Sequence, residues 1–303
     1  MIDFKPLDLE KKEEYERLLR TAGERGCEYS FVNLYLWGRQ KVAFVEGNLV
    51  CFSQYNRKSV YLFPVGTGDK RKTLERVMED AAKRGIPCRL VGLTQDDCAL
   101  LEGSFPGSFR YHFDRDSFDY VYDIDDLADL KGRKFQRKRN HLNRFKEQNP
   151  GYVLEPIDDE NIGQVAELVN KWYDLRLQEN PHGDYHMERA AIEKAMQQRK
   201  ELGMEGLLLR TADGVVAMTM GSRLNENTFD VHFEKALDIV DGAYAAINNG
   251  FAKYIREKYP QIRFLNREDD MGLEGLRKAK LSYNPHHMVE KSWAHLLEEG
   301  YAY

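Results

Sequence analysis

Two short segments carry ionisable groups in a pattern suited to group transfer. Phe229–Lys235 reads as a strand ending on Glu234 and Lys235, and Asn266-Arg267-Glu268-Asp269-Asp270 stands just past the carboxyl end of another strand. Open α/β sheets commonly place ligand-binding groups at such strand ends. A concentrated set of both charge signs there is what a transferase needs to hold a charged donor. The plainer account is an acidic loop whose charges pair with Arg277, Lys278 and Lys280 across a surface. A third segment, Lys131–Phe145 (KGRKFQRKRNHLNRF), is crowded with positive charge in an acidic chain. It suits nucleic acid, a phosphate-bearing cofactor or an anionic membrane surface, or it is a solvated helix face.

Other chemical templates fit poorly. Val65–Thr73 (VGTGDKRKT) follows a strand and opens a helix, but Arg71 stands where a P-loop needs glycine. A milder anion site remains there, from free N–H groups at a helix start beside Lys70, Arg71 and Lys72. His182 and His186 are four apart, yet Gly183 and Pro181 disfavour one helix presenting both. His286-His287 has no carboxylate or cysteine at ligand spacing, so no metal site is expected. No Gly-x-Ser-x-Gly occurs, and no cysteine has a recognisable catalytic context.

The chain of 303 residues carries a net charge of −5, and its 42% hydrophobic residues suffice for two cores. That acidity excludes coating of nucleic acid along the whole surface, so any polyanion contact is local. Cys27, Cys51, Cys88 and Cys98 form no Cys-x-x-Cys pair and read as reduced, buried thiols. There is no basic leader before an apolar core and no apolar run of about 18 residues. A cytoplasmic protein without a transmembrane segment is expected.

The elements that must position these residues run through one order twice: strand, two helices, three antiparallel strands, helix, strand, helix, strand. The second pass begins after Pro150-Gly151 with a strand at Tyr152–Ile157, and closes on a strand near Met288–Trp293. In the first pass Phe109–Asp123 reads as a strand pair. In the helix after Asp241-Gly242, Ala243, Ile247, Phe251 and Tyr254 form an apolar stripe, leaving Asn248 and Asn249 for capping, solvent or a ligand. This order is similar to that of the N-acetyltransferase (GNAT) fold. The expected class is α+β, with two tandem GNAT-like domains, each a mixed, mostly antiparallel sheet flanked by helices. The expected boundaries are 1–125, a basic linker helix at 126–150, and 151–303 with the active site.

Longer motifs sharpen the resemblance. Leu130 to Phe145 in the linker, Phe233-Glu234-Lys235-Ala236, Gly242-Ala-Tyr-x-x-Ile-Asn248 and Asn266-Arg-Glu-x-Asp270 through Lys280-x-Ser-Tyr-x-Pro285 resemble soluble relatives of the phosphatidylglycerol lysyltransferase C-terminal domain. The resemblance covers nearly the whole chain. It implies an acyl- or aminoacyl-transferase, similar also to Fem-type transferases, with aminoacyl-tRNA or acyl-CoA as donor and no tightly bound cofactor. The membrane-bound lysyltransferases act on a lipid head group. Without a spanning segment, a soluble acceptor or a peripheral encounter with anionic lipid both stay open.

An activated ester or thioester needs no enzyme nucleophile, only a positioned acceptor and donors for the oxyanion. On that basis Glu234 or Glu268 orients or deprotonates the acceptor, Lys235 and Arg267 stabilise charge, and Tyr283 gives a proton to the leaving group. Lys131, Arg133, Lys134, Lys138 and Arg139 are available for donor phosphates, unless they pair with the acidic stretch Asp123–Asp129. Tyr244, Asn248, Asn266, Asp270 and Lys280 complete the expected substrate-binding set. Phe135, Leu142 and Phe145 seat the linker helix against a domain. A GNAT pair that only senses an acylated ligand, or an RNA-associated protein, are the rival classes. Donor, acceptor and oligomeric state are not specified by the sequence.

Overall fold

Side-chain caps set most of the helix starts in the first half of the chain. Ser30 accepts from the Asn33 amide, Asp69 from that of Lys72, and Thr94 and Asp97 form a reciprocal capping box. The computed structural model describes residues 1–55 and 58–297. In order the first half holds β1 (Lys5–Pro6), α1 (Lys12–Leu19), α2 (Phe31–Leu36), β2 (Gln40–Val45), β3 (Asn48–Tyr55), β4 (Lys58–Leu62), β5 (Val65–Gly66), α3 (Lys70–Arg84), β6 (Arg89–Leu93), α4 (Gln95–Ser104), β7 (Phe109–Phe113), β8 (Asp119–Asp123) and α5 (Ile124–Asp129). After α6 (Gln136–Gln148) come β9 (Val153–Pro156), α7 (Ile162–Glu179), α8 (His186–Leu202), β10 (Glu205–Thr211), β11 (Gly214–Arg223) and β12 (Thr228–Ala236). The chain continues with α9 (Ala243–Lys258), β13 (Phe264–Asn266), α10 (Glu274–Leu281), β14 (His287–Val289) and β15 (Ser292–Leu296).

Two mostly antiparallel sheets result. One runs β1-β2-β3-β4-β6-β15-β7 with β5 on β3, the other β14-β8-β13-β12-β11-β10-β9. Each contains one parallel pair flanking its long helix, β4 with β6 and β12 with β13. The repeated order therefore does build two similar sheets.

The boundaries differ from the expected ones. Phe109–Asp123 is not a pair within one sheet, because β7 lies in the first sheet and β8 pairs with β13 in the second. The closing segment near Met288–Trp293 is two strands, and β15 pairs with β6 and β7. One compact unit is Met1–Asp119 with Asp269–Leu273 and the chain from Val289, and the other is Tyr120–Glu268 with Glu274–Met288. The division at 125 and 150 thus gives way to a cut at Asp119, with the last strand returned to the first unit.

The basic helix α6 is no free linker. Phe135, Leu142 and Phe145 are buried in the core of the second unit, with Tyr120, Tyr122, Ile247, Phe251 and Tyr283. Its charged face follows from that anchoring, since a helix with one apolar stripe leaves its other residues at the surface. The first unit packs its own core around Val50, Tyr61, Leu74, Val77 and Leu90. Among the described residues, no helix is long and apolar enough to cross a membrane.

Candidate functional site

In the second unit β12 and β13 pair only from Thr228–Asp230 to Phe264–Asn266, and β12 then runs on to Ala236. Beside this opening lies a β-bulge. Met220 faces Phe233 and Gly221 faces Val231, so His232 is the extra residue. A Cβ on Gly221 would lie 2.2 Å from the Asp230 carbonyl oxygen, so the bulge demands glycine there. Bulges re-aim the side chains that follow. Here Glu234 meets α9 and the β13 loop, while Lys235 meets α7 and α8.

Glu234 accepts from Arg267 Nη2 at 2.8 Å and from Asn248 Nδ2 at 3.3 Å. Burial opposes the Arg267 charge, but Glu234 together with Tyr122 and Tyr283 outweighs it, and the guanidinium is held more firmly protonated than usual. The Tyr283 and Tyr122 rings lie 5.0 and 5.6 Å from it. Two polar atoms of this cluster are buried without a hydrogen bond among the described residues: Arg267 Nη1, a donor, and Asn248 Oδ1, an acceptor. Leaving such atoms unmade costs about 1–3 kcal/mol each, which marks a place where a ligand's polar groups would be satisfied.

Lys138 approaches the same cluster from α6, with Nζ 3.6 Å from the centre of the Tyr283 ring. Burial and then Arg267 push its amine down to about 8. Tyr283 is pushed up by its own burial, so it keeps its proton and is a hydrogen-bond donor rather than an acid.

The loop after β13 is held by several fixed contacts. Asn266 Oδ1 accepts from the Glu268 amide at 2.7 Å, and the Lys280 ammonium donates to the carbonyls of Arg267 and Glu268. Backbone bonds run from Arg267 to Tyr120 and from Tyr120 to Glu268. Glu268 takes a left-handed backbone at φ 58°. Its carboxylate lies 3.2 Å from His232 Nδ1, and His232 Nε2 lies 2.8 Å from Ser222 Oγ. That order of groups is the order of a Ser–His–Glu triad, with Ser222 buried in the sheet. The Asp230, His232 and Glu268 ligand atoms lie within 4.8 Å of one another, close enough for one divalent cation to bridge them. Neither Ser222 nor His232 stands out in the sequence, because the bulge that joins them leaves no local signal.

Other expected site residues are placed elsewhere. Lys235 donates to Glu188 at 2.8 Å and lies 4.0 Å from the Trp172 ring, so it does not join Glu234 at the opening. Asp270 belongs to the first unit, 3.6 Å from Arg115. Tyr244 packs against the second core. On the linker, Lys131 pairs with Asp129 and Lys134 with Asp126, while Arg139 donates to the carbonyls of Leu130 and Gly132. Lys131 and Lys134 thus meet the acidic stretch before them, and Arg133 is exposed. Asn249 is also engaged, donating to the Leu127 and Ala128 carbonyls.

In the first unit, Asp69 already caps α3 with its own carboxylate, and Lys70 donates to Asn48 Oδ1 and the Gly66 carbonyl. The helix start at Val65–Thr73 is therefore a poor place for an added anion. Cys27, Glu28 and Asp119 have metal-ligand spacing, but the buried Lys291 ammonium sits among them, 2.6 Å from Asp119 and 2.7 Å from Glu28. An open cleft of about 500 Å³ near Ile2, Lys5, Tyr15, Phe44 and Arg76 gathers no comparable chemistry.

The parallel pair that parts beside a bulge, with a long helix packed behind it, defines an N-acetyltransferase-like architecture. A tandem GNAT protein from the clavulanic acid biosynthesis pathway shares this fold, with a TM-score of 0.51 at 12% identity over 99% of this chain and 100% of that one. The chain belongs to the phosphatidylglycerol lysyltransferase C-terminal family, whose model matches residues 19–295. It is similar to a conserved protein of unknown function from Bacteroides thetaiotaomicron VPI-5482, at 37% identity and a TM-score of 0.92 over 98% of this chain and 100% of that one. L-PGS from Bacillus licheniformis has the same fold, with a TM-score of 0.69 at 16% identity over 98% and 94% of the two chains. A curated relative, uncharacterized protein MYCGA3080 of Mycoplasmoides gallisepticum, is 25% identical over 180 residues, 58% of this chain and 55% of its own length.

Proposed function

We propose that this chain is an aminoacyl- or acyl-transferase whose reacting groups meet at Arg267, Asn248 and Glu234 in the second unit. The observation that carries the reading is the pair of buried, unsatisfied atoms, Arg267 Nη1 and Asn248 Oδ1, on side chains tied to one carboxylate. A donor carbonyl oxygen at Nη1 would gain a charge-assisted bond that strengthens as the oxygen becomes an oxyanion. An acceptor amine or hydroxyl donating to Oδ1 would be held beside that carbon. Tyr283 would hydrogen-bond the leaving oxygen or sulfur, which takes its proton from the attacking group. Family membership supports an aminoacyl donor, and the family's description names lysyl transfer to phosphatidylglycerol. For this chain the donor class is aminoacyl-tRNA or acyl-CoA, with an amine or hydroxyl acceptor, soluble or met at an anionic lipid surface.

Mass spectrometry on protein purified gently from its own host tests this reading, followed by turnover of whatever donor it carries. Carried tRNA or coenzyme A, with release of its acyl group, is the expected result. A donor that binds and is never turned over would make the protein a sensor of acylated ligands instead.

A further inference from the structure

The three lysines around the start of α6 differ in one respect. Lys131 and Lys134 each hold a carboxylate, on Asp129 and Asp126. Lys138 has no oxygen partner among the described residues and rests on an aromatic face, 3.6 Å from the centre of the Tyr283 ring. The same ring has the Arg267 guanidinium 5.0 Å from its centre, so two cations share one tyrosine. Among the described residues, the carboxylate that acts on the Lys138 charge is Glu234, already bound to Arg267. The Tyr283 face favours the ammonium, but burial and the neighbouring guanidinium outweigh it, so this amine loses its proton more readily than an ordinary lysine and can act as a nucleophile. Through the shared Tyr283 ring it belongs to the same cluster as Arg267, whose Nη1 would polarise a carbonyl.

We propose that Lys138 is an acylation site of this protein: its amine attacks activated acyl groups that enter the cluster and keeps them as an amide. In that step the Nζ lone pair attacks the carbonyl carbon, a C–N bond forms and the C–O or C–S bond of the donor breaks. The proton lost from nitrogen ends on the departing oxygen or sulfur, so no oxidant or third reactant is involved. The product removes a positive charge and lays an amide over Tyr283, which closes the cluster to a further donor. Only the natural source of the acyl group rests on the transferase reading; the reactivity of the amine does not.

The burial and the neighbouring guanidinium bring the Lys138 amine to about 8, whereas Asp129 holds Lys131 above its ordinary value. At neutral pH the lower value leaves a far larger neutral fraction, partly offset by weaker nucleophilicity. The net advantage is roughly tenfold or more.

The test exposes the full chain to p-nitrophenyl acetate, a small ester that needs no binding site, and in parallel to acetyl-CoA. Acetylation of each lysine is followed by peptide mapping across pH 6 to 10. Acetylation of Lys138 by the ester should run roughly tenfold or more ahead of Lys131 and Lys134 near neutrality, with a rate midpoint near pH 8. Arg267→Gln, checked for folding by its unfolding midpoint, should slow Lys138 and leave Lys131 unchanged. Equal rates at the three lysines, or no midpoint near pH 8 in the wild-type chain, would overturn the proposal. Labelling by the ester but not by acetyl-CoA would support the site and remove that thioester as its source. Absence of any carried donor in the purified protein would count against the transferase reading alone.

Discussion

Lys138 and Arg267 show how one aromatic ring joins charges that are far apart in sequence. The depressed Lys138 amine has a consequence for stability. A lysine whose folded-state value falls from 10.5 to about 8 binds fewer protons folded than unfolded between those pH values. Its cost to the folded state is therefore full below pH 8 and fades as pH rises towards 10.5. Lys138→Met should accordingly be more stable than wild type at pH 7, with the gain shrinking by pH 10, read as the difference in urea midpoints. A gain that is the same at both pH values would mean an ordinary surface lysine. The candidate site is partly legible in the sequence. Glu234, Arg267 and Asn248 were visible as polar groups at a strand end and on a helix beside it, and they meet. Lys235 is expected at the same opening, but it directly follows Glu234 in β12, so it lies on the opposite face and meets Glu188. What period-two reasoning cannot register is the bulge at His232, which decides which of the two faces the opening.

Helix α6 belongs to the second core because of three residues, Phe135, Leu142 and Phe145, at spacings of seven and three. Phe145 is fully buried against Tyr152, with ring centres 5.3 Å apart, and Gly242 comes so close that a Cβ there would lie 2.9 Å from the Phe145 Cβ. Phe145→Ala should cost about 3–5 kcal/mol of unfolding free energy. The measurement is a urea titration, and a loss under about 1 kcal/mol would mean the helix is not part of the core. The apolar spacing made this seating legible from the sequence. The partners of its bases were legible only as an alternative, because a run of Lys and Arg has the same composition whether it faces phosphate or Asp126 and Asp129. The acid side of that pairing has its own signature. Arg256, then Lys131, hold Asp129 down to about 2, so its contribution is present above about pH 4 and is lost as pH falls towards 2.

Across the whole chain, the two similar sheets follow from local signals repeated in order, and the exchange of their last strands does not. The pairing of β15 with β6 spans about two hundred residues, and nothing in the sequence near Ser292–Leu296 announces it. A fragment of residues 1–125, the first domain as the sequence suggests it, lacks the strand that lies between β6 and β7. Expressed alone it should show poor amide dispersion by NMR, and a well-dispersed spectrum would restore the simpler boundary. The proposed function puts donor chemistry at the buried Arg267 fork. Its most direct test is turnover of the co-purifying donor by Arg267→Lys, which keeps a charge against Glu234 and removes the planar donor pair. The account predicts a fall of about 10²- to 10³-fold in turnover with the fold intact, and unchanged turnover in that variant would contradict it.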